Sequence, residues 1–179
     1  VTTSDYASAS YYYVNKSSLP KVYGGFNTSL SWKGFDLSAI FAYSIGGYIY
    51  NRDITMILHN GSLEGRDWST EILKRWTPEN RYTDVPALST TSNNWNSAST
   101  RFLQNNSYMR LKNLTLSYDL PKQWISKLAL SSVQVFVQGD NLFTIHRNQG
   151  LDPEQGITGI TYYRYPAMRT ISGGINLSF

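Results

Sequence analysis

The last ten residues, Thr170-Ile171-Ser172-Gly173-Gly174-Ile175-Asn176-Leu177-Ser178-Phe179, alternate without a break. Ile171, Gly173, Ile175, Leu177 and Phe179 fall on one side; Thr170, Ser172, Gly174, Asn176 and Ser178 fall on the other. A period of two over this length defines a β-strand with one apolar and one wet face. The pattern runs to the final residue with neither the charge nor the proline that usually guards a terminal strand in a soluble sheet. An outward-facing terminal Phe fits a protein whose outside is lipid.

Four other stretches carry related patterns. Val22, Gly24, Phe26, Thr28, Leu30 and Trp32 oppose Tyr23, Gly25, Asn27, Ser29 and Ser31. After Lys33-Gly34, the residues Leu37, Ala39, Phe41, Tyr43 and Ile45 oppose Asp36, Ser38, Ala42 and Ser44, with Ile40 interrupting the polar side. Two patterned flanks about a Gly turn read as a hairpin. Leu114, Leu116, Tyr118 and Leu120 alternate with Asn113, Thr115, Ser117 and Asp119, whereas Met109 and Leu111 lie in the other phase. That change of phase predicts a bulge near Lys112-Asn113. Val133, Val135 and Val137 alternate with Ser132, Gln134, Phe136 and Gln138. The expectation is five antiparallel strands near 22–32, 36–50, 107–120, 132–143 and 169–179, each about the length a tilted membrane strand needs.

The composition allows this reading. Of 179 residues only 16% are charged, against about 25% in an ordinary globular chain, while 15% are aromatic and 14 are tyrosine. A mean hydropathy of −0.36 suggests solubility, but two opposite faces average to the same value. The absence of cysteine excludes disulfides, thiolate metal sites and thiol nucleophiles. A net charge of +4, spread along the chain, gives no nucleic-acid footprint. The opening Val1-Thr2-Thr3-Ser4-Asp5-Tyr6 has no secretory signal, and with the unguarded last strand it suggests a piece of something longer.

The connections alternate between short and long. Two residues join the first pair of strands; the long ones are 51–106 and 144–168, with a turn at 120–131 between them. Long loops on one side and short turns on the other follow the plan of an outer-membrane barrel. The long segments would be extracellular and the short turns, with Phe179, periplasmic. Within 51–106 a short helix is predicted, capped by Asp67, with Trp68, Ile72, Leu73 and Trp76 on one side and Pro78 at its end.

No catalytic constellation emerges. His59 and His146 lack metal-ligand or general-base spacing. Asp152-Pro153-Glu154 lacks the alternating ligands of a calcium loop and reads as a turn. Gly24-Gly25, Gly46-Gly47 and Gly173-Gly174 are not phosphate loops. The reading is therefore no enzyme, no cofactor and no metal. Tyrosines at strand ends fit the aromatic girdle of a membrane barrel. Trp95, Tyr162 and Tyr163 in the long loops have a second reading, contact with a substrate or a lid. Arg110 and Lys112 are read as snorkelling or facing the lumen.

Several stretches, in order, carry a family resemblance: Pro20 to Thr28 (PKVYGGFNT), Trp32 to Ser38 (WKGFDLS), Arg75 to Asn80 (RWTPEN), Asp84-Val85-Pro86, Asn106 to Pro121 (NSYMRLKNLTLSYDLP), Gly139 to Thr144 (GDNLFT), Gly150 to Glu154 (GLDPE) and Tyr165-Pro166. Together they resemble the C-terminal end of the SusC/RagA-type TonB-dependent outer-membrane transporters of Bacteroidota. The resemblance implies a 22-stranded barrel of which these are the last five strands, and an internal plug outside this chain. It also implies TonB engagement through missing N-terminal parts, and a SusD-like surface lipoprotein as lid. Such transporters import glycans or peptides across the outer membrane. Ile175, Leu177 and Phe179 would be the assembly signal read by the barrel-assembly machinery. The fold class expected is thus all-β, the C-terminal part of a transmembrane β-barrel with one short helix in a long extracellular loop. Its surroundings would be lipid, the remainder of the same barrel, the lipoprotein and an oligosaccharide or peptide substrate, with no nucleic acid. The alternative is a soluble, aromatic-rich β-sheet carbohydrate-binding module.

Overall fold

The computed structural model describes residues 5–61, 63–89, 91, 94–126 and 130–179. In chain order the elements are β1 (Pro20–Trp32), β2 (Phe35–Gly46), β3 (Tyr48–Asn51), α1 (Arg52–Ile57), the 3-10 stretches Thr70–Lys74, Asn94–Asn96 and Thr100–Phe102, β4 (Leu103–Asn105), β5 (Tyr108–Asp119), α2 (Lys122–Ile125), β6 (Ser132–His146), β7 (Ile160–Thr161) and β8 (Thr170–Ser178). They divide into two compact units. One comprises 5–18, Tyr48–Gln104 and Gly156–Arg164; the other comprises Leu19–Gly47, Asn105–Gln155 and Tyr165–Phe179.

The second unit is an open five-stranded sheet in the order β1-β2-β5-β6-β8, antiparallel throughout. Lys33 (φ 50°) and Gly34 (φ 86°) make the β1–β2 turn. Two successive left-handed residues match the twist of a tight hairpin, and Gly reaches that conformation without a Cβ penalty.

Register turns the alternation into rows across the sheet. Trp32, Phe35, Tyr118, Val135 and Ile175 form one row, and Leu30, Leu37, Leu116, Val137 and Gly173 the next. Thr28, Ala39, Leu114, Gly139 and Ile171 follow, then Phe26, Phe41, Leu111 and Phe143. The Phe26 and Phe41 rings stack with centroids 4.7 Å apart. Much of this apolar face is open: Leu30 is 68% and Ile175 63% exposed.

The opposite face carries a polar lattice. Asn113 Nδ2 donates to Asp140 Oδ1 at 2.8 Å, Thr115 Oγ1 donates to Asn113 Oδ1 at 2.9 Å, and Gln134 Nε2 donates to Asp119 Oδ1 at 3.0 Å. Phe136 also lies on this face, and its ring lies across Gly174, where a Cβ would come within 2.8 Å of it.

The ladder slips where the phase changes in sequence. Ile40 pairs with Asn113 and Phe41 with Leu111, so Lys112 is skipped; on the other side Asn141 and Leu142 are skipped. The bulge keeps Met109 and Leu111 on the apolar face and turns Arg110 to the polar one.

Two expectations need correction. The strand predicted at 36–50 is not continuous. Gly46 and Gly47 have φ of 83° and 70°, a conformation that breaks the ladder, and Tyr48–Asn51 joins a second sheet, β4-β3-β7, in the first unit. The segment 51–106 is also more than a loop with one helix. Residues 70–74 form a 3-10 stretch capped by Ser69 rather than Asp67, ending at Arg75 before Pro78 is reached. The α-helical turns lie at α1 and α2 instead.

The first unit folds about residues 55–60. The carbonyls of Thr55, Ile57, Leu58 and Asn60 accept from Asn96 Nδ2 (2.6 Å), Ser69 N (2.8 Å), Trp95 Nε1 (2.6 Å) and Ser89 N (2.7 Å). His59 Nδ1 accepts from Trp68 Nε1 at 3.0 Å. Five successive anchors satisfy a long irregular segment without a ladder. Ile49, Ile72, Val85 and Phe102 are its buried apolar residues.

Candidate functional site

Tyr162 and Tyr163 follow β7 in the first unit. Their rings lie 4.1 Å apart at 41°, and the Arg52 guanidinium sits over the Tyr162 ring at 4.7 Å. Tyr163 has φ 50°, uncommon for a bulky residue. The strain is held by Asp53, whose Oδ1 accepts the Tyr163 N–H at 3.0 Å. The Tyr162 hydroxyl and the Arg66 cation both act on the Tyr163 phenol. Together they draw the Tyr163 phenol below its ordinary value, while the Tyr162 phenol is pushed above. A groove of 470 Å³ beside this pair is lined by Asp53, Met56, Ile57, Gly65, Arg66, Asp67 and Tyr163.

Trp95 sits elsewhere in the same unit. Its indole N–H goes to Leu58 O, and the Arg101 guanidinium lies 3.3 Å from its ring centre. The polar atom and one face are therefore used within the chain. Ile175 and Leu177 lie on β8 opposite Val135 and Val133, and Phe179, just past the strand end, is 92% exposed. His59 is buried against Trp68, and His146 Nδ1 bonds to Asn148 O at 2.9 Å.

In the second unit an ion cluster joins residues that the sequence treats separately. On the polar face Arg110, 3% exposed, donates to Thr144 Oγ1 (2.8 Å), Glu154 Oε2 (2.9 Å) and Asp152 Oδ1 (2.6 Å). Lys112 Nζ reaches Glu154 Oε2 at 2.5 Å. Asp152 also accepts from Glu154 N (2.9 Å) and Ala167 N (2.7 Å). Burial of this carboxyl opposes its ionisation, but the Ala167 and Glu154 donors and Arg110 outweigh that and hold it below the usual carboxylate range. Asn106 Nδ2 adds a bond to Pro153 O at 2.8 Å. The segment Asp152–Gln155 is thus strapped to the polar face of the sheet. Some forty residues separate the partners, so no local spacing announces the pairing; the sequence signal was only a turn motif and two cations on a strand.

No protein-family model matches the chain. It is 33% identical over 166 residues to TonB-dependent receptor P3 of Formosa agariphila, covering 87% of this chain and 16% of that receptor. It is 27% identical over 168 residues to TonB-dependent receptor SusC of Bacteroides thetaiotaomicron, covering 93% of this chain and 16% of that protein. Among solved structures it is similar to the RagAB peptide importer in its open-open state, with a TM-score of 0.85, 35% identity and coverage of 100% of this chain and 19% of that one. The sheet is a section of a barrel wall, all-β and antiparallel. The chain belongs to the SusC/RagA-type TonB-dependent transporters, and it spans about a sixth of the length of the curated relatives it matches. The relatives are receptors and importers by name; the soluble carbohydrate-binding reading has no counterpart among them.

Proposed function

We propose that this chain is the C-terminal wall of a TonB-dependent importer of glycans or peptides in the cell outer membrane. The observation that carries this is the two-faced sheet: unbroken apolar rows, half open to the surroundings, backed by a hydrogen-bonded polar lattice. Lipid would cover the first face and the lumen the second, the arrangement a transmembrane barrel requires. The remaining strands of a 22-stranded barrel would pair with the free edges of β1 and β8. The plug and the TonB-contacting segment would come from other parts of the protein.

In this reading 51–106 and 144–168 are extracellular and meet a SusD-like lipoprotein, with Trp95, Tyr162 and Tyr163 as candidate contacts to substrate or lid. The chain's role is binding and passage, without catalysis and without a cofactor. Ile175, Leu177 and Phe179 form the signal for the barrel-assembly machinery. Deleting the gene in its host should abolish growth on the imported polymer while growth on its monomers continues. Unchanged growth on every polymer tried would refute the importer. Removing Phe179 alone should cut the amount of heat-modifiable barrel in the outer membrane, and normal levels would refute the assembly role.

A further inference from the structure

The stacked tyrosines do not have equal roles. Tyr162 is 43% exposed, with Arg52 over its ring and Tyr163 packed against it. It does not line the neighbouring groove, whereas Tyr163 does and is 67% exposed. Of the two rings, Tyr163 is the one that borders the groove. Its backbone conformation is set by Asp53 through the Tyr163 N–H, and its ring is packed on that of Tyr162. Strained backbone held by a charged acceptor is a recurring way to present a side chain.

The groove also has a readable charge. Its wall holds two carboxylates, Asp53 and Asp67, against one guanidinium, Arg66, with the Arg52 cation behind Tyr162; Met56 and Ile57 supply apolar contact. One of the carboxylates is already spent on the chain's own N–H. A fully charged ligand would find a near-balanced wall, while a neutral unit with a flat face over Tyr163 and hydrogen-bonding edges would be met by Asp67 and Arg66.

Resting on the importer reading above, we infer that Tyr163 is a specificity-determining contact for an uncharged polar unit of the substrate, and that Asp53 is its positioning residue. A sugar ring and an uncharged peptide segment share this chemistry.

The test uses the full-length receptor in detergent, titrated calorimetrically with neutral oligosaccharides, with end-capped uncharged peptides, and with charged counterparts of both. One neutral class should bind and so name the source. Tyr163→Ala should weaken it about tenfold, the worth of one stacked ring, with Tyr82→Ala, an exposed ring that does not line the groove, within about twofold of wild type. Asp53→Ala should weaken binding several-fold while Asp53→Asn, which still offers an oxygen to the Tyr163 N–H, restores it; a merely structural loss would not be rescued in this way. If Tyr163→Ala fails to assemble, Tyr163→His keeps a smaller ring and carries the same comparison. Equal losses at Tyr82 and Tyr163, undiminished binding in the Tyr163 variants, binding of charged ligands alone, or binding of none would each overturn the inference. Growth that depends on the gene yet is untouched by Tyr163→Ala would overturn it while leaving the importer standing.

Discussion

Arg110 shows how one residue can organise a segment far along the chain. With both carboxylates in place the buried guanidinium is paired with Asp152 and Glu154. Take Arg110 away and Asp152 and Glu154 face each other with only Lys112 between them and solvent. Losing one partner of a buried pair typically costs about 3–5 kcal/mol. Arg110→Met in the full-length receptor should therefore leave the barrel assembled but make 147–156 cleavable by added protease; unaltered cleavage would argue against the strap. Asp152 adds a pH dependence. Its folded carboxyl is held low, so its stabilisation is present above the ordinary value of 3.8 and is lost as pH falls through the depressed one. Protease resistance of the strap should stay level from neutral pH to about 5, then decline in more acid solution. Asp152→Asn should flatten that decline.

At the scale of elements, the alternation in β1 makes neighbouring residues answer to different solvents. Phe26 lies at the middle of the strand, stacked on Phe41 on the apolar face, while Asn27 faces the polar side opposite Ile40. A lysine at bilayer midplane on the lipid face costs about 2–4 kcal/mol. Phe26→Lys should lower the yield of folded barrel and its resistance to denaturant, and Asn27→Lys should leave both near wild type. Equal effects would mean that the two faces do not see different media. The bulge belongs to this scale too. Skipping Lys112 keeps the apolar rows in phase and points Arg110 toward Asp152, so a ladder irregularity places the strap.

For the whole molecule, the dominant fact is an apolar face that the described residues do not cover and a sheet whose outer strands, β1 and β8, each have one edge unpaired in the sheet order. Such surfaces drive association in water. This chain, produced by itself, should need detergent to stay dispersed; a monodisperse monomer in plain buffer, seen by light scattering, would count against a membrane wall. The first unit has its own buried residues and anchors and is not expected to share that demand.

The alternating residues determined by themselves that the chain makes strands, which side of each is apolar, and where the phase changes at Lys112-Asn113, because a period of two is a local property of the backbone. The Lys33-Gly34 hairpin was legible for the same reason. The tertiary structure decided the rest. It broke the strand at Gly46-Gly47, gathered 55–60 into an anchor for a segment that reads as a plain loop, and replaced the helix expected after Asp67 with a 3-10 stretch. It also packed Trp95 against Arg101, set Tyr163 beside a groove, and joined Arg110 to carboxylates some forty residues away. Each of these depends on which distant groups satisfy a buried donor, acceptor or charge, and that pairing is set by the path of the chain in space.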